Sequence, residues 1–205
     1  MNPGVTQHMS FFAQFERHER RLFRLDTRIY LHDDVSPSSD DQCVAAVIAK
    51  NPGSAVPTKL GKLTRLTLDG DKLLPTVRNR FIDAYSIAKL DIPTGAFVRV
   101  WNLLYLCNPT LTKAIAEFAT VSKPVWCKTE KNAPPIVWFA WGPPKAKLDE
   151  YKQRFLSTAF DTVFYFDMDS EKVVAKRPAL SSRVKHTQGM PKAPINKHLA
   201  ALIAG

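Results

Sequence analysis

The chain has 205 residues, 45% of them hydrophobic and 23% charged. That balance belongs to a globular domain large enough to bury a core, and it excludes a disordered chain, a collagen and a coiled coil. Lys and Arg outnumber Asp and Glu by 29 to 19, and the net charge of +10 points to a polyanionic partner.

In chain order, Ser10 to Leu25 reads as an amphipathic helix capped by Ser10. Phe11, Phe12, Phe15, Leu22, Phe23 and Leu25 are its apolar residues, and Glu16, Arg17, Glu19, Arg20 and Arg21 are polar. A short strand is expected at 28–31, before the turn-rich stretch Asp33 to Asp41. Residues 1–40 therefore form an N-terminal helix and connection. Cys43 to Ala49 is a continuous apolar run, the pattern of a strand buried on both faces. Residues 57–72 are a polar connection. Leu74 to Lys89 reads as a helix, with Pro75 in its first turn and Val77, Phe81, Ala84, Tyr85 and Ala88 on one stripe.

Further buried strands are expected at Ala96 to Leu106, Ile136 to Trp141 and Val163 to Asp167. Short helices fall at Thr112 to Ala119 and Lys145 to Ala159, and a terminal helix at Ile195 to Ile203. From about residue 171 the chain turns basic. Lys172, Lys176, Arg177, Arg183, Lys185, Lys192 and Lys197 face the single acid Glu171, a net +6. Residues 41–205 thus read as one α/β domain, a three-layer sandwich around a central, mostly parallel four-stranded sheet.

No apolar run approaches the roughly 18–20 residues of a membrane span. The first ten residues lack the basic start and apolar run of a signal peptide. The spacing of Cys43, Cys107 and Cys127 fits no zinc or iron–sulfur pattern and agrees with buried thiols in a reducing cytoplasm. No histidine pair stands at i, i+4. Phosphate-loop, dinucleotide and nucleophile-elbow motifs are missing. The expectation is a cytoplasmic monomer that uses no metal and no cofactor.

Ligands of a parallel sheet bind beyond the carboxyl ends of its strands. Four positions there carry chemistry. In Lys50-Asn51-Pro52-Gly53-Ser54, Pro52 fixes one backbone angle and Gly53 admits positive φ. The turn either holds the Asn51 amide rigidly over a ligand, beside the Gly53 and Ser54 N–H groups, or simply ends a strand. Asn102 lies inside a strand, where it reads the edge of a base or is a paired structural amide. Arg78 and Arg80 begin a helix, as phosphate contacts or as a solvated face. Arg183, Lys185 and His186 share a hydroxyl-rich loop that suits a phosphodiester and a developing anion, or is a basic surface loop. Trp101, Trp126, Trp138 and Trp141 stack on a base or fill the core.

Three of these segments resemble a small bacterial and phage family of unassigned function: Asn51-Pro52-Gly53-Ser54, Val100-Trp101-Asn102-Leu103 and Ala140-Trp141-Gly142. The same order over residues 44–190 is similar to the uracil-DNA glycosylase superfamily. Its mismatch-specific branch has a Gly-Ile-Asn-Pro-Gly turn after the first strand, a strand carrying an Asn, and a late His-Pro-Ser loop. Arg78-Asn79-Arg80-Phe81 matches that branch's Asn-Arg-Phe helix. His186 departs from it, being followed by Thr187-Gln188.

The resemblance implies a DNA glycosylase with a uracil-DNA-glycosylase-like fold, acting on a base flipped out of duplex DNA. Asn51 would hold the attacking water and His186 would stabilise the departing base. Asn102, Pro52, Gly53, Ser54 and Trp141 would form the base pocket. Lys50, Arg78, Arg80, Arg183 and Lys185 would grip phosphates. A modified base is one substrate class, with antiviral defence against modified phage DNA as the setting. Two alternatives stand beside this: a non-catalytic nucleic-acid-binding protein on the same scaffold, and a nucleotide or nucleoside N-glycosidase.

Overall fold

The computed structural model describes residues 9–53, 57, 59–68 and 70–205. It is an α/β fold built on one mixed sheet of eight strands, where sequence pattern predicts four. In chain order the elements are β1 (Met9–His18), β2 (Arg21–Asp33), β3 (Cys43–Ala49), β4 (Leu63–Arg65), α1 (Leu73–Ala88), β5 (Phe97–Asn102) and α2 (Leu111–Phe118). They continue with β6 (Val137–Phe139), α3 (Asp149–Leu156), β7 (Val163–Asp167), β8 (Lys172–Val174) and α4 (Lys192–Ala204). The spatial order is β4-β1-β2-β5-β3-β6-β7-β8. Strands β5, β3, β6 and β7 run parallel, and the remaining pairings are antiparallel.

The parallel strands are apolar on both faces because helices lie against both. Ala45, Val47 and Ala49 of β3 join one core cluster with Leu74, Val77 and Phe81 of α1 and Ile195 and Leu199 of α4. The alternate residues Ala46 and Ile48 join a second cluster with Ala114 and Phe118 of α2 and Phe155 of α3. Tryptophans divide likewise: Trp138 stacks on Phe164 in the first cluster, and Trp101 stacks on Phe155 and Phe160 in the second.

The N-terminal helix expected over Ser10 to Leu25 is a β-hairpin. Its connecting residues Glu19 and Arg20 both have positive φ, 47° and 64°. That is the backbone of a two-residue turn whose twist matches the flanking strands. Asn-Gly ordinarily marks it, and Glu-Arg does not. The apolar spacing also misleads, because Phe11 and Phe15 fill one cluster while the adjacent Phe12 fills a third with Tyr30 and Phe97. With both faces buried, a strand loses its period-two signature.

A bulge interrupts β2. Phe12 pairs with Arg28 and Gln14 with Leu25, so β2 carries one residue more than β1 across this interval. Asp26, at φ 40°, absorbs it. Its carboxylate accepts from Arg28 (2.8 Å) and Arg99 (3.1 Å), and its N–H donates to Cys127 Sγ at 3.3 Å. Downstream of the bulge β2 pairs with β5. Upstream, Arg24 N–H donates to the Tyr105 carbonyl at 2.9 Å, beyond the end of β5.

The turn assignment has a direct test. Glycine adopts the left-handed region without the Cβ clash that Arg20 suffers there. Arg20→Gly is expected to raise unfolding free energy by about 0.5–1 kcal/mol, read from the urea midpoint. A lower midpoint would contradict the turn geometry.

Candidate functional site

A cavity of about 620 Å³ opens beyond the carboxyl ends of β3 and β5. Asn51, Pro52 and Gly53 reach it from the turn after β3. Asn102 reaches it from the end of β5, and His186 from the basic C-terminal segment. Arg24 of β2 and Asp71, just before α1, join the polar lining with Thr67, Lys72 and Gln188. Residues that are far apart in sequence therefore meet at one place.

Asn51 is held by its own amide. Nδ2 donates to the Asn108 carbonyl at 2.8 Å, and Gly53 bridges to Asn108 beside it. Asn108 is fixed in turn, since its Oδ1 accepts from Thr110 N–H at 2.9 Å. Gly53 has φ 71°, the left-handed conformation that glycine takes without strain. Pinning the NH2 group leaves Oδ1 as the free end of the side chain, an acceptor only.

Asn102 and Arg24 are 1% and 3% exposed. Among the described residues, neither amide atom of Asn102 has a hydrogen-bond partner, nor does Nε or Nη1 of Arg24. Nearest to Arg24 is Asp71 Oδ2, at 3.8 Å from Nη1, too long for a hydrogen bond. The other oxygen of Asp71 is committed to α1, accepting from Leu73 N–H at 2.8 Å and Leu74 N–H at 3.3 Å. Burial pulls the ionisation of Arg24 down, and the charges of Asp71 and Cys107 oppose that. A guanidinium stays charged regardless.

His186 is half-buried. Its Nδ1 accepts from Gln188 N–H at 3.4 Å, which leaves the proton on Nε2. Burial and the Lys50 ammonium push its pKa down to about 4 despite Asp71. At neutral pH the ring is an uncharged N–H donor. Lys50 lies across Gly142, whose φ is 83°. A Cβ there would meet only the flexible end of the Lys50 side chain, so it is the positive φ that favours glycine at the β6 end. Burial and the neighbouring Lys145 lower the Lys50 pKa.

The other sequence candidates lie elsewhere. Arg78 is buried and donates to the carbonyls of Tyr30 (3.0 Å) and Leu31 (2.9 Å) and to Asp33 (2.8 Å). Arg80 is buried between α1 and α4, donating to Asn196 Oδ1 at 3.2 Å beside Asp83. Both guanidinium groups bind α1 to its neighbours and are unavailable to a phosphate, which corrects that expectation. Trp141 is 1% exposed, edge-on to Phe139 at 5.0 Å in the second core cluster, so it stacks on protein rather than on a ligand. Arg183 is exposed and paired with Asp169 at 3.0 Å. Lys185 is half-buried on the same segment as His186. Ser54 lies outside the described residues.

Sequence reasoning missed Arg24 and Asp71. The first had a signal: a cation flanked by Phe23 and Leu25 in an apolar stretch. The second carries a helix-start signature, an Asp two residues before Leu73 with Pro75 in the first turn.

No family model matches the chain, and no curated protein or solved structure is detectably similar to it. Among the described residues, no helix is long and apolar enough to cross a membrane, and no group of three or more His, Cys, Asp or Glu could share a metal ion.

The environment of His186 sets a pH dependence. The unfolded imidazole takes a proton near pH 6.5, while the folded one resists until about pH 4. Across that window the unfolded chain binds more protons, so stability falls as pH drops from 6.5 to 4. His198, also lowered by burial, acts in the same direction. NMR titration is expected to give His186 a midpoint near 4, and His186→Gln to flatten part of the stability loss. A midpoint at or above 6.5 would contradict the site geometry.

Proposed function

We propose that the chain is a DNA glycosylase that cleaves the N-glycosidic bond of a base flipped into the cavity beyond β3 and β5. The observation that carries the reading is the convergence of the pinned Asn51 amide, the unpartnered Asn102 amide and neutral His186 on that one cavity. The scaffold, in this reading, is a three-layer uracil-DNA-glycosylase-like sandwich with β5, β3, β6 and β7 at its centre. The chain acts as a cytoplasmic monomer on double-stranded DNA and needs no cofactor.

Asn102 offers a donor and an acceptor side by side, which matches the imide or amide edge of a nucleobase. Asn51 Oδ1 accepts from a water and holds it towards the sugar C1′. An amide is too weak a base to remove a proton, so the contribution of Asn51 is orientation. The C1′–N bond breaks, the departing base keeps the electron pair, the sugar becomes oxocarbenium-like, water adds at C1′, and the proton that this water releases passes to the departed base anion. His186 Nε2–H donates to the base as its negative charge develops, without giving up the proton. The Asp71 carboxylate favours the positive sugar. Lys50, Lys185 and the exposed Lys72 at the cavity rim supply phosphate contacts, in keeping with the net charge of +10.

One experiment tests this. Duplexes carrying uracil, a mismatch, no modification or hypermodified phage bases are incubated with the protein and cleaved with alkali. Strand breaks are expected on one substrate class. Asn51→Ala is expected to cut the rate by about 10²-fold or more while DNA retention persists. Salt-sensitive DNA retention with no breaks on any duplex would replace the enzyme by a binding protein.

A further inference from the structure

The Asn102 amide makes no side-chain hydrogen bond among the described residues, so its direction is set by its backbone and its packing. That backbone sits in a gap of the sheet. The bulge in β2 ends the ladder between β2 and β5 at Thr27 and Val100, and contact resumes only where Arg24 N–H reaches the Tyr105 carbonyl. On the β3 side, Leu103 and Leu104 N–H donate to the Ala49 and Lys50 carbonyls, each at 2.9 Å. The Asn102 carbonyl needs a donor from elsewhere, as every buried carbonyl does.

Arg154 of α3 supplies it. Its Nη2 donates to the Asn102 carbonyl at 2.9 Å. The guanidinium is itself fixed by Glu130, with Nε on Oε2 at 2.9 Å and Nη2 on Oε1 at 3.2 Å, and it lies 3.8 Å over the Trp126 ring. Glu130 also accepts from the hydroxyl of buried Tyr105. Next to it, Thr129 Oγ1 accepts from Trp101 Nε1 at 3.0 Å. The single turn Lys128–Lys131 and Arg154 therefore hold residues 101, 102 and 105 together. Only a planar fork grips a carboxylate and a carbonyl at once; a lysine ammonium in its place is a point charge without that geometry.

We propose that Arg154 is a positioning residue: fixed by Glu130, it takes the place of the missing β2 donor at the end of β5 and so sets where the Asn102 amide faces the cavity. The inference rests on reading Asn102 as the group that recognises the base. Glu130 answers the charge of Arg154, so its effect on the reaction runs through Asn102.

Side-chain amide NMR without ligand is the first test. Arg154→Gln is expected to move the Asn102 NH2 signal and leave in place that of Asn51, which is bonded to the Asn108 carbonyl. Arg154→Lys should move it less, and Glu130→Gln, which frees the guanidinium, should move it in the same direction. The second test uses whichever duplex the natural protein cleaves. Arg154→Gln is expected to slow cleavage at saturating DNA by about ten- to a hundredfold with DNA retention unchanged, and Arg154→Lys to recover part of the rate. A purely structural Arg154 would lower the melting temperature and leave both the Asn102 signal and the rate per folded molecule as they are. That result would overturn the proposal, as would an Asn51 signal that moves as far as that of Asn102. A displaced Asn102 signal in a protein that cleaves no duplex would leave the positioning role standing and remove the glycosylase. If Arg154→Gln does not fold, Arg154→Lys, which keeps the charge over Trp126, carries both readings against the same outcomes.

Discussion

The organising constraint is that the parallel strands are covered on both faces. A strand in that position can expose nothing along its length, so its polar groups must be bonded, absent or gathered at its ends. Arg99 of β5 meets the first option through Asp26 in the bulge of the adjoining β2, whose carboxylate also holds Arg28. Arg78 and Arg80 do the same for α1, tying it to β2 and α4. The cavity is the third case. It gathers Arg24 and Asn102, two of the buried residues with unpartnered side-chain atoms among the described residues.

That contrast separates structural from functional cations more sharply than charge alone. Arg78 was the more attractive candidate in sequence, standing at a helix start where anions commonly bind. Its donors are consumed by two carbonyls and an aspartate. Arg24 stands between two apolar neighbours, yet its Nε and Nη1 have no hydrogen-bond partner among the described residues. Position in a motif said little here, and the bonding state of the group said most.

The central strands were legible because continuous apolar runs bounded by Pro, Gly or Asn leave few alternatives. Cys43–Ala49 and Val163–Asp167 fall where the sequence places them, and α1 is displaced by one residue. The hairpin was hidden because Glu19 and Arg20 take left-handed backbone without glycine or asparagine to announce it. Strands β4 and β8, three residues each, carry too little pattern to find. At the site, Asn51, Asn102 and His186 could be nominated from strand ends. Their meeting depends on long-range pairing: Ala49 lies opposite Asn102 in the sheet, and the Asp167–Val184 bridge brings the basic segment back to β7. No local pattern encodes either.

The account stands or falls on whether this cavity receives a base. Side-chain amide NMR of the isotope-labelled protein, titrated with uracil, reads it directly. The account predicts that the Asn102 NH2 and Arg24 Nε–H signals, unpartnered among the described residues, shift on addition, together with His186. The half-buried aromatic groove of Phe118, Trp126 and Tyr151 should stay silent, since Arg154 already stacks 3.8 Å over Trp126. Shifts confined to that groove, or none at Asn102 under saturating base, would contradict the account.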